Sequence, residues 1–136
     1  MTIVYAQEQD LPPDEYITVI GSTYMGERRP IGNPARIAEM LAGSSLIVTA
    51  RGRTGAIVGV ARGISDAAWV CYLADVCVRE GWQKCGIGRG LLDFSAQILD
   101  PRIAIVLMAY PEAVEYYRHI GMGEATSFFR DRSDSA

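Results

Sequence analysis

Histidine is nearly absent from this chain and cysteine is scarce: His119 stands alone, and the thiols are Cys71, Cys77 and Cys85. His119 has no ligand-spaced neighbour, and no two cysteines form a C-x-x-C pair, so no metal site is expected. An odd number of thiols fits a reducing compartment better than a disulfide framework. Cys71 and Cys77 fall in a strand-like segment, where a free thiol acts as a small hydrophobe. No apolar run approaches the roughly 20 residues that a membrane span needs. The opening "MTIVYAQEQD" has no basic region followed by an apolar one, as a signal peptide would. A cytoplasmic location without membrane contact is therefore expected. Basic stripes are also missing. The net charge is −3, which argues against a nucleic-acid partner. The clusters "ERRP" (Glu27–Pro30) and "RGR" (Arg51–Arg53) read as solvated loop charges.

What is present suits one well-filled core. Hydrophobic residues make up 49% and charged residues 21% of 136 residues, which points to a single domain over 1–136 with a mobile tail at 131–136. Thr2–Ala6 is β-branched and aromatic and predicts a strand. Pro12 and Pro13 precede acidic residues, and Tyr16, Ile17, Ile20 and Tyr24 follow at helical spacing. After a Gly/Pro loop, Asn33 is placed to cap a helix whose first residue is Pro34 and which Gly43 stops. Ser45–Arg51 and Ala56–Ile64 read as a hairpin, and Trp69–Val78 as a longer third strand. A helix is expected from Arg89. Arg102–Ala109 is almost wholly apolar, as a central strand covered on both faces would be. Pro111 opens a further helix that Gly121 ends, and "EATSFFRD" predicts a last short strand. The order β-α-α-β-β-β-α-β-α-β gives an α+β domain with a mixed, mostly antiparallel sheet flanked by helices.

The most informative stretch is "GWQKCGIGRGLL" (Gly81–Leu92). It joins a strand to a helix. The first amides of that helix lack intrahelical partners, and the helix dipole favours an anion there. Gly86 and Gly88 let the backbone approach a phosphate with no Cβ in the way. The phosphate-loop pattern fails, because no Gly-Lys-Ser/Thr follows. The dinucleotide fingerprint fails too, since Gly86, Gly88 and Gly90 give G-x-G-x-G. Taken alone, the glycines also suit a plain strand–turn–helix corner.

The surrounding residues go further. Gln83-Lys84-Cys85-Gly86-Ile87-Gly88 resembles the acetyl-CoA signature Q/R-x-x-G-x-G/A of the GNAT superfamily of N-acetyltransferases, with Val78 and Trp82 at the family's spacing ahead of it. Downstream, "AVEYYRHIGM" resembles the family's F/Y-Tyr-x-x-x-Gly-Phe signature, with Tyr117, Gly121 and Met122 in register. Residues 1–45 match only in element order. Three positions depart from the pattern. Lys84 stands where many members have glycine, Glu80 replaces a common proline, and "AYPEA" lacks an asparagine that many members carry.

The resemblance implies an acetyl-CoA-dependent acyltransferase with the GNAT fold. The cofactor would lie between the fourth and fifth strands. Val76, Cys77 and Val78 would meet the pantetheine, and the segment Gln83, Lys84, Cys85, Gly86, Ile87, Gly88 and Arg89 the pyrophosphate. Arg89 and Arg118 are candidates for the adenosine phosphates. Tyr117 matches the family's tyrosine that protonates the departing thiolate. A phenol is a suitable donor at pH 7. A homodimer is common in the family.

Asp75 is the one acid inside the fourth strand, and a carboxylate there needs a partner or a task. It is a candidate base, directly or through water. The alternative is a structural aspartate bonded to backbone amides. Tyr72 is a candidate for the acceptor pocket. The acceptor would be a small-molecule or peptide amine. A non-catalytic acyl-CoA-binding sensor is the alternative function.

Overall fold

The computed structural model describes residues 2–134. Its elements are β1 (Val4–Gln7), α1 (Pro13–Ile20), a 3-10 turn (Tyr24–Arg28), α2 (Pro34–Ala42), β2 (Leu46–Arg51), β3 (Ile57–Ser65), β4 (Val70–Val78), α3 (Ile87–Ile98), β5 (Ala104–Leu107), a second 3-10 turn (Pro111–Ala113) and α4 (Val114–His119). The class is α+β, with one five-stranded mixed sheet in the order β1-β2-β3-β4-β5. The first four strands pair antiparallel and β5 joins β4 in parallel.

Local signals set the helix starts. The Asn33 side chain accepts the Arg36 amide at 3.1 Å and Pro34 occupies the first turn of α2. At α1, a proline and the acids Asp14 and Glu15 sit in the first turn, where the dipole favours negative charge. The helix α3 begins two residues earlier than expected. Gly86 turns the chain in the left-handed region (φ 81°), so Ile87 is already helical.

The sheet is covered on both faces. Tyr16, Val19 and Ile20 of α1 pack with Ile37 and Leu41 of α2 over Ile47 and Val60. On the opposite face Ile87, Leu91 and Leu92 of α3 pack over Val48, Ala50, Val58 and Ala61. Each wholly buried aliphatic side chain of this kind contributes roughly 1.5–3 kcal/mol. Arg51 ties the strand end to α1. It meets Glu8 at 2.9 Å and Glu15 at 2.7 Å. Arg51→Ala is expected to cost about 1–2 kcal/mol, since both pairs are partly exposed. Hydrogen bonds from Arg51 hold the carboxyls of Glu8 and Glu15 below their ordinary value of 4.5. This contribution is present above that value and is lost as the pH falls through the lower folded values. Urea unfolding of the wild type and Arg51→Ala at pH 7 and pH 3 measures it: the difference should shrink at the lower pH.

Two expectations about the C-terminal third need correction. No strand forms at 124–131, where Phe128 is 92% and Phe129 73% exposed. Consequently β5 is an edge strand of four residues with alternating exposure, not a central strand covered on both faces. Its apolar composition gave no hint that the neighbouring strand would be missing. Of the tail at 131–136, Ala136 and Ser135 lie outside the described residues.

Two details of β4 position the site. Its pairing with β5 runs from Val70 to Leu73 and stops, while its pairing with β3 continues to Val78. Ala74–Val78 are thus unpaired along the β5 side. At the point of divergence Arg62 pairs with Asp75 but Gly63 pairs with Leu73, so Ala74 is an extra residue, a β-bulge. The bulge switches faces. Cys71 and Leu73 belong to the α3 side, whereas Asp75 and Cys77 face α1.

Candidate active site

The divergence of β4 from β5 opens a cleft of about 350 Å³. Its walls include Val76, Cys77 and Val78 of β4, Gln83, Lys84, Gly86, Ile87 and Gly88 of the glycine turn, and Tyr116 and Tyr117 of α4. Most of the cofactor residues expected from sequence therefore meet round one space. Cys85 and Arg89 are not among its walls. Arg89 lies 3.8 Å from Asp93 and is mostly exposed. Arg118 is held by Glu115 and by Glu124. The Cys77 thiol meets the hydroxyl of Thr23, another cleft wall, at 3.3 Å, and burial pushes it up to about 11, so it stays a thiol at neutral pH.

The three glycines have separate tasks. Gly86 needs its positive φ, and no atom lies within 4 Å of where its Cβ would be. At Gly88 a Cβ would sit 3.0 Å from the Tyr116 hydroxyl, so its absence keeps the cleft open. At Gly90 a Cβ would collide with Tyr5 at 2.0 Å, and this glycine serves packing alone. Gly90 is also where intrahelical bonding starts, its amide reaching the Gly86 carbonyl at 3.0 Å. The amides ahead of it form the unpartnered first turn, at the cleft wall. Gln83 braces the turn by donating to the Val78 carbonyl at 3.1 Å. Lys84 has φ 63°, a conformation that favours glycine, which is why glycine is the common residue at that place in the motif.

A second, smaller cavity of about 20 Å³ lies where β4 and β5 part. Tyr24, Met25, Leu73, Ala74, Tyr110 and Tyr117 are among its walls. Tyr117 lines both spaces. Burial pushes its phenol well above the ordinary value, with smaller effects from Tyr24 and Tyr116, so it keeps its proton. Tyr116 crosses it edge-on at 5.2 Å. Tyr116, 39% exposed, also faces the cleft. The neighbouring Tyr72 lies opposite Val106 of β5, 38% exposed, and is in neither wall.

Asp75 is 1% exposed and fully engaged. One carboxylate oxygen accepts Arg29 Nε at 2.8 Å. The other accepts Arg62 Nε and Tyr16 Oη, both at 2.6 Å. Arg29 also donates to the Ala74 carbonyl at 2.7 Å, the carbonyl that the bulge frees. Burial and the Asp75 charge hold the Tyr16 phenol protonated. The partners of Asp75 are guanidinium and phenol groups instead of backbone amides. Arg29 had read as a solvated loop charge; it is instead a buried counter-ion. Only the odd placement of Asp75 in an apolar strand signalled that some cation must reach it.

Among the described residues, no cluster of three His, Cys, Asp or Glu side chains is placed to hold a metal, and no helix is long and apolar enough to cross a membrane.

A five-stranded mixed sheet that parts between its parallel strands, above a glycine turn at a helix N-terminus, defines an acyltransferase fold. The family model of the GNAT acetyltransferase domain matches residues 28–131, and the chain belongs to this family. Among curated proteins it is similar to the histone acetyltransferase TAP1 of Glycine max, 36% identical over 67 residues, which is 48% of this chain and 29% of that protein. The chain thus aligns with under a third of that relative's length. Among solved structures it resembles a GNAT-family acetyltransferase from Streptococcus pneumoniae TIGR4 (TM-score 0.75, 16% identity, 98% of this chain and 100% of that chain). It also resembles a ribosomal-protein-alanine N-acetyltransferase from Brucella melitensis biovar Abortus 2308 (TM-score 0.75, 17% identity, the same coverage of 98% and 100%). At these identities the structures speak for the fold.

Proposed function

We propose that the chain transfers an acetyl group from acetyl-CoA to a primary amine by direct attack. The observation that carries this reading is the unpaired side of Ala74–Val78, whose Val76–Val78 end walls the same cleft as Tyr117 and the glycine turn. An extended pantetheine arm would bond to that free strand side as an added strand does. The amides at the start of α3 would take the pyrophosphate, with Gly88 leaving room. Lys84, the cation of the turn, would lie beside it.

The chemistry then needs two proton movements. An alkyl amine of pKa about 10.4 is roughly 0.04% neutral at pH 7, a cost of about 4.6 kcal/mol. The nucleophile loses its proton to water that enters through the cleft, because Asp75 is committed to two guanidinium groups. The amine nitrogen bonds to the acetyl carbonyl carbon, the carbon–sulfur bond breaks, and Tyr117 gives its proton to the leaving sulfur. Cys77 takes no covalent part, since the cleft brings amine and thioester together directly.

Calorimetric titration with acetyl-CoA tests the donor. Micromolar binding is expected. Gly86→Glu should weaken it at least tenfold, because it sets a negative charge where an anion would lie. Gly86→Ala, equally strained at φ 81° but uncharged, should weaken it less. No binding at millimolar acetyl-CoA would leave the glycines as a corner and remove the proposal. A cytoplasmic, homodimeric enzyme remains part of the proposal, to be tested by fractionation and light scattering.

A further inference from the structure

The arginine of "ERRP" next to Arg29 has no task so far. Arg28 is not a free loop charge either. Its guanidinium carbon lies 4.2 Å from the Tyr110 ring centroid and 5.2 Å from that of Tyr24. Its two terminal nitrogens donate to the two oxygens of Glu112, at 3.2 and 3.5 Å. The rings of Tyr24 and Tyr110 stand nearly perpendicular, 81° apart with centroids at 6.4 Å. Two aromatic faces and one carboxylate thus form a three-walled box around a cation. Aromatic faces attract cations through their quadrupole, and a carboxylate takes a planar guanidinium with two bonds.

The placement of the box matters. Tyr24 and Tyr110 are also walls of the small cavity on which Tyr117 stands, and Tyr24 and Glu112 are walls of the cofactor cleft. Arg28 therefore straps the first 3-10 turn to the second beside the site, lining neither space itself. The cavity walled by Tyr24 and Tyr110, about 20 Å³, holds little more than one water. An acceptor needs more room. The strap is easily moved, because Arg28 and Glu112 are 31% and 44% exposed and such ion pairs add little stability.

From this geometry we infer that the Tyr24–Tyr110–Glu112 box is a recognition subsite for a cationic group of the acceptor, and that Arg28 occupies it as an internal surrogate until the acceptor displaces it. The inference rests on the acetyltransferase reading and deepens it. An amine held in the box stays charged, since Glu112 and both rings favour the cation. A charged amine has no lone pair for the thioester. The group in the box is then not the group that reacts. The acceptor carries two nitrogen functions, a cation for the box and a separate primary amine for acetylation. Diamines, polyamines and guanidino-amines belong to this class, and simple monoamines do not.

The probe is 4-aminobutylguanidine, which has Arg28's own head group at one end and a primary amine at the other. Butylamine is its one-ended control. Thiol release from acetyl-CoA is followed for the wild type, Arg28→Ala, Arg28→Gln and Glu112→Gln. The wild type should use the guanidino-amine at least tenfold better than butylamine, by kcat/KM. Removal of Arg28 should lower KM for the guanidino-amine several-fold and leave that for butylamine unchanged. Glu112→Gln should raise it about tenfold, and the preference for the guanidino-amine over butylamine in kcat/KM should fall accordingly. Equal responses of the two amines, or weaker use of the guanidino-amine by both Arg28 variants, would overturn the inference. Should neither amine be acetylated, calorimetry decides. Saturable binding of 4-aminobutylguanidine to Arg28→Ala, weakened by adding Glu112→Gln, upholds the box while the acetyltransferase reading falls. No binding at millimolar probe overturns the box itself.

Discussion

Asp75→Ala should destabilise the protein by about 3–5 kcal/mol, the cost of leaving buried charges without a partner. Arg29 and Arg62 would both lose their counter-ion, with side chains only 13% and 8% exposed. The Tyr16 hydroxyl, wholly buried, would lose its acceptor as well. Urea denaturation measures the effect as a fall in the midpoint. A loss under about 1 kcal/mol would show that the network is dispensable. Asp75→Asn separates the structural role from a base role. It keeps one acceptor oxygen and the volume, and should remain folded at low temperature. If Asp75 only organises the two arginines, turnover of the folded Asp75→Asn protein stays within about tenfold of the wild type. If Asp75 takes the amine's proton, turnover falls by 10²–10⁴ with the fold intact, as loss of a general base requires.

Tyr117→Phe should reduce turnover by about 10²–10³ and change acetyl-CoA binding by less than threefold. The phenol keeps its proton and faces both the cleft and the cavity where the strands part. Losing it forces the thiolate to leave unprotonated or to find water. The ring itself stays, so the packing against Tyr116 and the shape of the cleft survive. Thiol release with a working amine reads the first effect and calorimetry the second. Unchanged turnover would remove Tyr117 from the chemistry. Acetyl-CoA binding with no turnover by the wild type, for any amine, would favour the non-catalytic sensor.

Sequence patterns carried the helices and the glycine turn well, and for local reasons. Asn33-Pro34 names its own helix start, and the glycine turn sits between a strand and a helix whatever surrounds it. The Asp75 network and the Arg28 strap were hidden because they are built from distant partners. Arg29 and Asp75 are 46 positions apart, and Arg28 and Glu112 are 84 apart. The bulge at Ala74 left no trace either. Burial alternates without a break along β4, because both faces of the sheet are covered and a change of face looks the same as its continuation. The segment 124–131 shows the converse. Its β-favouring residues satisfied a local rule, yet the free outer edge of β5 stays unpaired, because propensity alone does not make a strand.

The bulge also makes chain length as important as side-chain identity in this part of the molecule. Deleting Ala74 would take out the extra residue: Leu73 and Asp75 would become neighbours opposite Gly63 and Arg62, and every β4 side chain would keep its present face. What would go is the Ala74 carbonyl that Arg29 holds at 2.7 Å, and the added twist at the point where β4 parts from β5. Such a deletion removes only a methyl side chain, yet it would take a bond from the arginine network and straighten the strand that walls the cleft. Substitutions at Ala74 that keep the backbone count would disturb neither register. Length variation within the family should therefore accumulate in the loops between elements and be purged from the middle of β4.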